Sequence, residues 1–211
     1  MKKGEICTPI PELVERLKSF HKNGMDYINT IYTLVDDIDA KSKYTHSHSA
    51  RVRHYVELMG KKLNLPQDEI NTLCIAATLH DIGRMGIDSA IWEKPGALTK
   101  EEYEIVKSYP EESADILASI TFLETVTTII RHHRENYNGT GYPDQLKREE
   151  IPLGSRILSV VDAFDAMTSE RPYRDRIDPE VAIEELQNKI GTQFDPMIVE
   201  TFISIWMQMY R

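Results

Sequence analysis

Leu79-His80-Asp81-Ile82-Gly83 is the stretch on which the reading of this chain turns. It closes a run in which Ile70, Leu73, Cys74, Ala77 and Leu79 recur at helical spacing, so the run reads as a buried helix. A buried helix does not ordinarily finish in two adjacent polar side chains. Burying an imidazole and a carboxylate is costly unless something compensates them, and a metal ion is the simplest candidate.

Outward from this point the helical period dominates, strand-like alternation is scarce, and there is no internal repeat or low-complexity linker. Residues 46–64 read as a helix with Val52, Val56, Met59 and Leu63 inward, and Pro66 opens the next one. Gly83 and Gly86 break the helix that ends at His80-Asp81. Thr99 and Glu102 have the spacing of a capping box, with Leu98 and Tyr103 placed for the accompanying staple. A helix over 122–135 ends in His132-His133-Arg134-Glu135, after which Asn138-Gly139 and Gly141 impose a turn. Residues 155–169 form a strongly apolar helix containing Asp162 and Asp165, and Asp178-Pro179 and Asp195-Pro196 start the last two helices. The expected fold is all-α. Residues 1–40 read as an N-terminal helical segment, with Leu13, Leu17, Phe20, Ile28, Ile31, Leu34 and Val35 inward, and 41–211 as the main domain.

The bulk numbers bound the function. At 211 residues, 41% hydrophobic and 28% charged, the composition is that of an ordinary globular protein. The net charge of −9, from 25 basic and 34 acidic residues, argues against DNA, RNA or an anionic membrane as partner, but leaves room for a local phosphate site. No segment approaches the roughly 18 apolar residues of a membrane span, and Met1-Lys2-Lys3-Gly4-Glu5-Ile6 lacks a signal peptide's apolar core. Cys7 and Cys74 make no disulfide framework, and the expected compartment is the cytoplasm.

Four candidate metal ligands lie on three predicted helices: His48, His80, Asp81 and Asp162. Neighbouring helical residues point about 100° apart, so His80 and Asp81 share an ion only in a groove between helices. Imidazole and carboxylate together suit Fe, Mn or Zn without discriminating among them, and a metal so held serves phosphoryl chemistry. Each ligand has a plain structural alternative. His48 can be a surface or core histidine, His80-Asp81 a polar helix end, and Asp162 the partner of Arg156 or Arg51.

The order His48…His80-Asp81…Asp162 resembles the HD superfamily of metal-dependent phosphohydrolases. His48-Ser49-Ala50-Arg51-Val52, Leu79 to Gly83, Lys94 to Thr99, Gly139-Thr140-Gly141-Tyr142-Pro143, Ile151-Pro152-Leu153 and Arg171-Pro172-Tyr173-Arg174 are similar to its HD-GYP branch, over residues 36 to 205. The resemblance implies a helical bundle with an HD-GYP extension. It also implies hydrolysis of cyclic di-GMP or a related cyclic dinucleotide, and two or three metal ions, often iron or manganese.

The chain departs from that pattern at informative places. Arg84 stands where the branch has Lys; it keeps the charge but cannot donate a proton as an acid. Tyr109, in Lys107-Ser108-Tyr109-Pro110, stands in place of a metal-binding His and is a poor ligand while protonated. Ser113 replaces a glycine and Asn138 an aspartate. Ungapped alignment of His-His-Glu places His133, Arg134 and Glu135 there, so one ligand becomes a fixed cation. The expectation is one divalent transition metal per chain, iron or manganese ahead of nickel or zinc. His48, His80, Asp81 and Asp162 hold it, with His133 a further candidate, and Arg134 stands in for part of the missing second charge. Asp81 and Arg84 are the candidate catalytic residues, and Arg84, Tyr142, Arg171 and Arg174 the candidate substrate contacts. Three functions fit: hydrolysis of a cyclic dinucleotide, hydrolysis of another phosphate ester, or binding of a nucleotide or protein without turnover. Residues 1–40 are a candidate surface for a second copy or a signalling partner.

Overall fold

The computed structural model describes residues 48–209 apart from 93, 95 and 170–175. The N-terminal segment 1–40, the helices expected within it, Arg171 and Arg174 lie outside the described residues.

The described chain runs through α1 (His48–Lys62), α2 (Gln67–Leu79), a 3-10 turn (Ile82–Gly86), α3 (Ser89–Trp92), α4 (Lys100–Lys107), α5 (Tyr109–Ala118), α6 (Glu124–His132), α7 (Leu153–Thr168), α8 (Pro179–Asn188) and α9 (Pro196–Met209). Among the described residues no strand forms beyond one isolated bridge between Ile190 and Phe194. The all-α expectation holds. No described helix is long and apolar enough to cross a membrane.

Helix α7 is the axis of the bundle. Ser155, Ile157, Leu158, Val160, Val161, Asp162, Phe164 and Asp165 are all buried, more than one face of a helix can supply, so α7 must be covered on several sides. Helices α1, α2, α6, α8 and α9 provide that cover. Val52, Val56 and Met59 of α1 are fully buried in the core, and Leu63 packs at its edge. Tyr55, Phe164 and Phe202 form an edge-to-face trio with ring centroids 4.9–5.7 Å apart.

The local start signals behave as the residues dictate. Thr99 Oγ1 accepts from the Glu102 amide at 3.2 Å while Glu102 Oε2 accepts from the Thr99 amide at 2.7 Å, completing the capping box of α4. Asp178 accepts from the Glu180 amide at 2.8 Å and Asp195 from the Met197 amide at 2.8 Å, each with proline next in sequence. The helix expected over 122–135 is shorter: a 3-10 turn at Thr121–Leu123 precedes α6, and His133 is its C-cap.

Two features fix the loop after α2 against the rest. A Cβ on Gly83 would lie 2.4 Å from the Tyr109 carbonyl oxygen and 2.6 Å from the Ser113 amide, so only glycine lets the turn pass α5. Ser113 Oγ donates to the His80 carbonyl at 3.0 Å and accepts from the Gly83 amide at 2.8 Å. The serine that departs from the family pattern thus fastens the His-Asp turn to α5.

Candidate metal centre

His48 opens α1, His80 and Asp81 follow the last residue of α2, and Asp162 sits in the middle of α7. The packing of α1 and α2 on α7 brings these positions to one point. His48 Nε2 lies 3.4 Å from His80 Nε2 and 3.4 Å from Asp162 Oδ1. His80 Nε2 lies 3.6 Å from Asp162 Oδ1 and 3.4 Å from Asp81 Oδ1, and His48 Nε2 is 3.6 Å from Asp81 Oδ2. One ligand atom each from His48, His80 and Asp162 falls within a 4.8 Å circle, and all three residues are buried.

The other side of each imidazole is anchored. His80 Nδ1 lies 2.8 Å from the Ala77 carbonyl oxygen, which can only accept, so Nδ1 carries the proton. His48 Nδ1 donates to Asp165 Oδ2 at 2.7 Å. Asp165 in turn accepts from Arg51 Nε at 2.5 Å and Arg51 Nη2 at 3.0 Å, and Arg51 donates to Ser169 at 2.8 Å. Both rings therefore aim Nε2 at the cluster, with the second contact that orients a metal-binding histidine already in place.

The cluster has too little positive charge. Asp162 Oδ1 and Asp81 Oδ1 are buried without a hydrogen-bond partner. Burial alone would push the His80 imidazole down, but Asp81 and Asp162 beside it outweigh that and raise its pKa. Burial works against the ionised carboxyls too. The Arg84 guanidinium, then His80 and His48, nevertheless lower Asp81, and Arg134 with His80 holds Asp162 well below the ordinary carboxylate range. Two ionised carboxylates and two imidazole lone pairs facing one point fit a divalent cation. With metal–ligand bonds of about 2.0–2.2 Å, donors sharing an ion stand about 3.0–3.6 Å apart, the spacing seen here.

The neighbouring group is built differently. The Tyr109 hydroxyl donates to His133 Nε2 at 2.9 Å, and His133 Nδ1 donates to the Ile130 carbonyl at 2.6 Å. Arg134 Nε donates to the Tyr109 oxygen at 2.5 Å and Arg134 Nη2 to Asp162 Oδ2 at 2.6 Å. Both nitrogens of His133 are thus hydrogen-bonded, and it stands beside the converging group of His48, His80 and Asp162, its ring 5.4 Å from that of His80, rather than within it. Burial first, and then Arg134 and His80, lower its pKa to about 3, so it stays neutral. The carboxylate oxygen of Asp162 that faces away from His48 and His80 is taken by Arg134. The alternative pairing of Asp162 with Arg156 or Arg51 does not occur: Arg156 donates to Asp195 at 2.5 Å and Arg51 to Asp165.

Arg84 pairs with Asp81 at 2.8 Å and lies over the Tyr109 ring, 5.1 Å from its centroid. Arg134 also lies over that ring, at 5.6 Å. Tyr142 lines a cavity of about 460 Å³ beside the cluster, and Arg134 forms part of the same wall. The loop that carries Tyr142 is pressed on the end of α6: a Cβ on Gly141 would stand 2.2 Å from the Asn136 amide nitrogen and 2.6 Å from the Arg134 carbonyl oxygen. The residue that sequence reasoning missed is Asp165. Its signal was its position three residues after Asp162, which puts both carboxylates on one side of α7.

Comparison with known proteins agrees with this geometry. The sequence pattern of the HD domain family matches residues 33–198. A 3'3'-cGAMP-specific phosphodiesterase of Vibrio cholerae is 36% identical over 171 residues, 81% of this chain and 37% of its own length. A cyclic di-GMP phosphodiesterase response regulator of Xanthomonas campestris is 34% identical over 82% of this chain and 47% of its own. A cyclic di-GMP phosphodiesterase of Thermotoga maritima is 33% identical over 85% of this chain and 50% of its own. The chain thus spans half or less of the length of these relatives. In fold it is similar to a solved cyclic GMP-AMP specific phosphodiesterase of V. cholerae, with a TM-score of 0.68 at 23% identity over 85% of this chain and 48% of that one. An HDG"Y"P protein from Bdellovibrio bacteriovorus gives 0.67 at 20% identity over 93% of this chain and 65% of that one. The chain belongs to the HD domain family.

Proposed function

We propose that this chain is a metal-dependent phosphodiesterase domain that hydrolyses a cyclic dinucleotide, with a single divalent transition metal held by His48, His80, Asp81 and Asp162. The observation that carries the reading is the convergence of two anchored imidazoles on the unbonded Asp162 Oδ1. The relatives named for cyclic di-GMP and 3'3'-cGAMP supply the substrate class. Iron or manganese is the expected ion, ahead of nickel or zinc.

When bound, such an ion polarises a phosphoryl oxygen and lowers the pKa of water towards neutrality. The chain's own residues do the rest. Asp165 and the Ala77 carbonyl hold His48 and His80 in the orientation and tautomer that present Nε2. Arg84 keeps Asp81 ionised and adds positive charge beside it, where phosphate charge develops. Arg134 keeps Asp162 ionised from its far side. Arg171 and Arg174 are proposed as further phosphate contacts on sequence grounds, and Tyr142 as a contact for the base. Residues 1–40 are proposed as the docking surface for a second copy or a signalling partner, in the cytoplasm.

One observation favours a second reading, a module that binds nucleotide without turnover. Tyr109, His133 and Arg134 satisfy one another and leave no ligand atoms for a second ion. Turnover assays decide between them, using cyclic di-GMP, 3'3'-cGAMP and simple phosphodiesters with Fe, Mn, Ni or Zn supplied without oxygen. The expected outcome is cyclic dinucleotide hydrolysis with one ion per chain, falling at least about a hundredfold in Asp81→Ala. Binding without turnover under every metal establishes the module. Turnover of simple phosphodiesters alone establishes a different substrate. Two tightly bound ions per chain overturn the single-metal assignment.

A further inference from the structure

The cavity beside the cluster has a chemistry of its own. Its volume of about 460 Å³ is that of a small-molecule site. Lys107 Nζ stands 5.7 Å from the centroid of the Tyr103 ring and 5.8 Å from that of Tyr142. Asn136, Gln145 and Gln193 supply amides, and among the described residues no aspartate or glutamate lines the cavity; Lys107 Nζ also pairs with Glu104, which does not line it, at 3.1 Å. A pocket lined, among the described residues, by two basic side chains, two phenol rings and three amides suits a ligand with an anionic end and a flat, hydrogen-bonding body.

Arg134 joins that cavity to the metal cluster. Its Nε and Nη2 are committed to Tyr109 and Asp162, which fixes the plane of the guanidinium. Those two bonds leave Nη1, and the side chain, 27% exposed, lines the cavity. A guanidinium held through Nε and Nη2 has little freedom to lose when Nη1 meets an anion. If Arg134 served only as counter-charge to Asp162, its place on the cavity wall would not be called for.

We propose that Arg134 is a phosphate-binding residue, gripping a non-bridging phosphoryl oxygen at the boundary between the metal cluster and the cavity. The cavity beyond it holds a nucleoside of the same ligand, with Tyr142 against the base and Lys107 near a second anionic group. This rests on the cyclic dinucleotide reading and names which residues of this chain take which part of the ligand.

The test is equilibrium binding of a phosphorothioate analogue of cyclic di-GMP, which resists hydrolysis, to metal-loaded protein. Arg134→Gln is expected to raise Kd ten- to a hundredfold, and Arg134→Lys to recover part of the loss. Ser159→Trp narrows the cavity and is expected to raise Kd at least tenfold, with metal content measured alongside to show that the cluster, one turn further along α7, still binds its ion. In steady state it should raise KM more than it lowers kcat. Binding within twofold of the parent in both Arg134→Gln and Ser159→Trp overturns the inference while leaving the proposed activity standing. Should Arg134→Gln not fold, Ser159→Trp and Lys107→Met decide the matter by the same criterion. A parent protein that neither binds nor hydrolyses a cyclic dinucleotide overturns the functional reading and this one with it.

Discussion

Two polar groups lie side by side in this bundle, joined through Asp162, and they solve the problem of burial in opposite ways. In the first, His48, His80, Asp81 and Asp162 turn lone pairs towards one another, and buried carboxylate oxygens go without hydrogen bonds. In the second, Tyr109, His133 and Arg134 pair donor with acceptor at every contact, and the chain of bonds ends on a backbone carbonyl. Burying unpaired carboxylates costs several kcal/mol unless a charge is supplied, whereas a satisfied network needs nothing further. The first group therefore calls for an external cation. The second carries its own in Arg134. Residue types alone would make His133 and His80 equivalent; their partners make one a candidate ligand and the other a structural acceptor.

The comparison can be broken most directly at Asp165. If the first group is a metal site, Asp165→Asn weakens the orientation of His48 and lowers metal affinity about 10- to 100-fold, measured by competition with a chelator. Unchanged affinity would reduce Asp165 to an anchor for Arg51. Tyr109→Phe tests the second group. It deletes the hydroxyl that serves both His133 and Arg134, and is expected to destabilise by about 1–3 kcal/mol in denaturant unfolding while the metal content stays at one ion. A gain in bound metal instead would show that Tyr109 was blocking a ligand set.

The smallest effect sharpens the contrast through pH. His133 is held neutral down to about 3, against 6.5 for an ordinary histidine. Between these values the unfolded chain binds a proton that the folded chain refuses. Its contribution is therefore complete above pH 6.5 and is lost as pH falls towards 3, by at most about 1.4 kcal/mol per pH unit. His133→Leu removes that proton uptake, so the stability of the variant should fall less steeply than the parent's over this window. Parallel slopes would mean that His133 is not buried neutral.

Most of the architecture was legible because it rests on local rules. The 3.6-residue period placed Val52, Val56 and Met59 inward, and the Thr99–Glu102 and Asp178-Pro179 signals started their helices where the structure has them. His48, His80 and Asp162 were legible as ligand types at helix positions that a bundle can bring together. Asp165 was not, because a carboxylate one turn from a ligand reads equally as a second ligand, a surface charge or an ion-pair partner. Nor could the sequence choose among Arg51, Arg134 and Arg156 as the partner of Asp162. Arg51 is on α1, Arg134 just past α6 and Arg156 on α7 itself, and the sequence carries no distance between them and Asp162.

What the sequence determined by itself is therefore the helical class, the helix starts and the identity of the groups able to bind a cation. Periodicity, caps and ligand chemistry are properties of neighbouring residues and of single side chains. Tertiary structure alone decided that His133 turns to Tyr109, that Arg134 closes on Asp162 and that Asp165 orients His48. Each of those choices is a contact between residues far apart in the chain, made where packing around α7 brings buried polar atoms within hydrogen-bond reach.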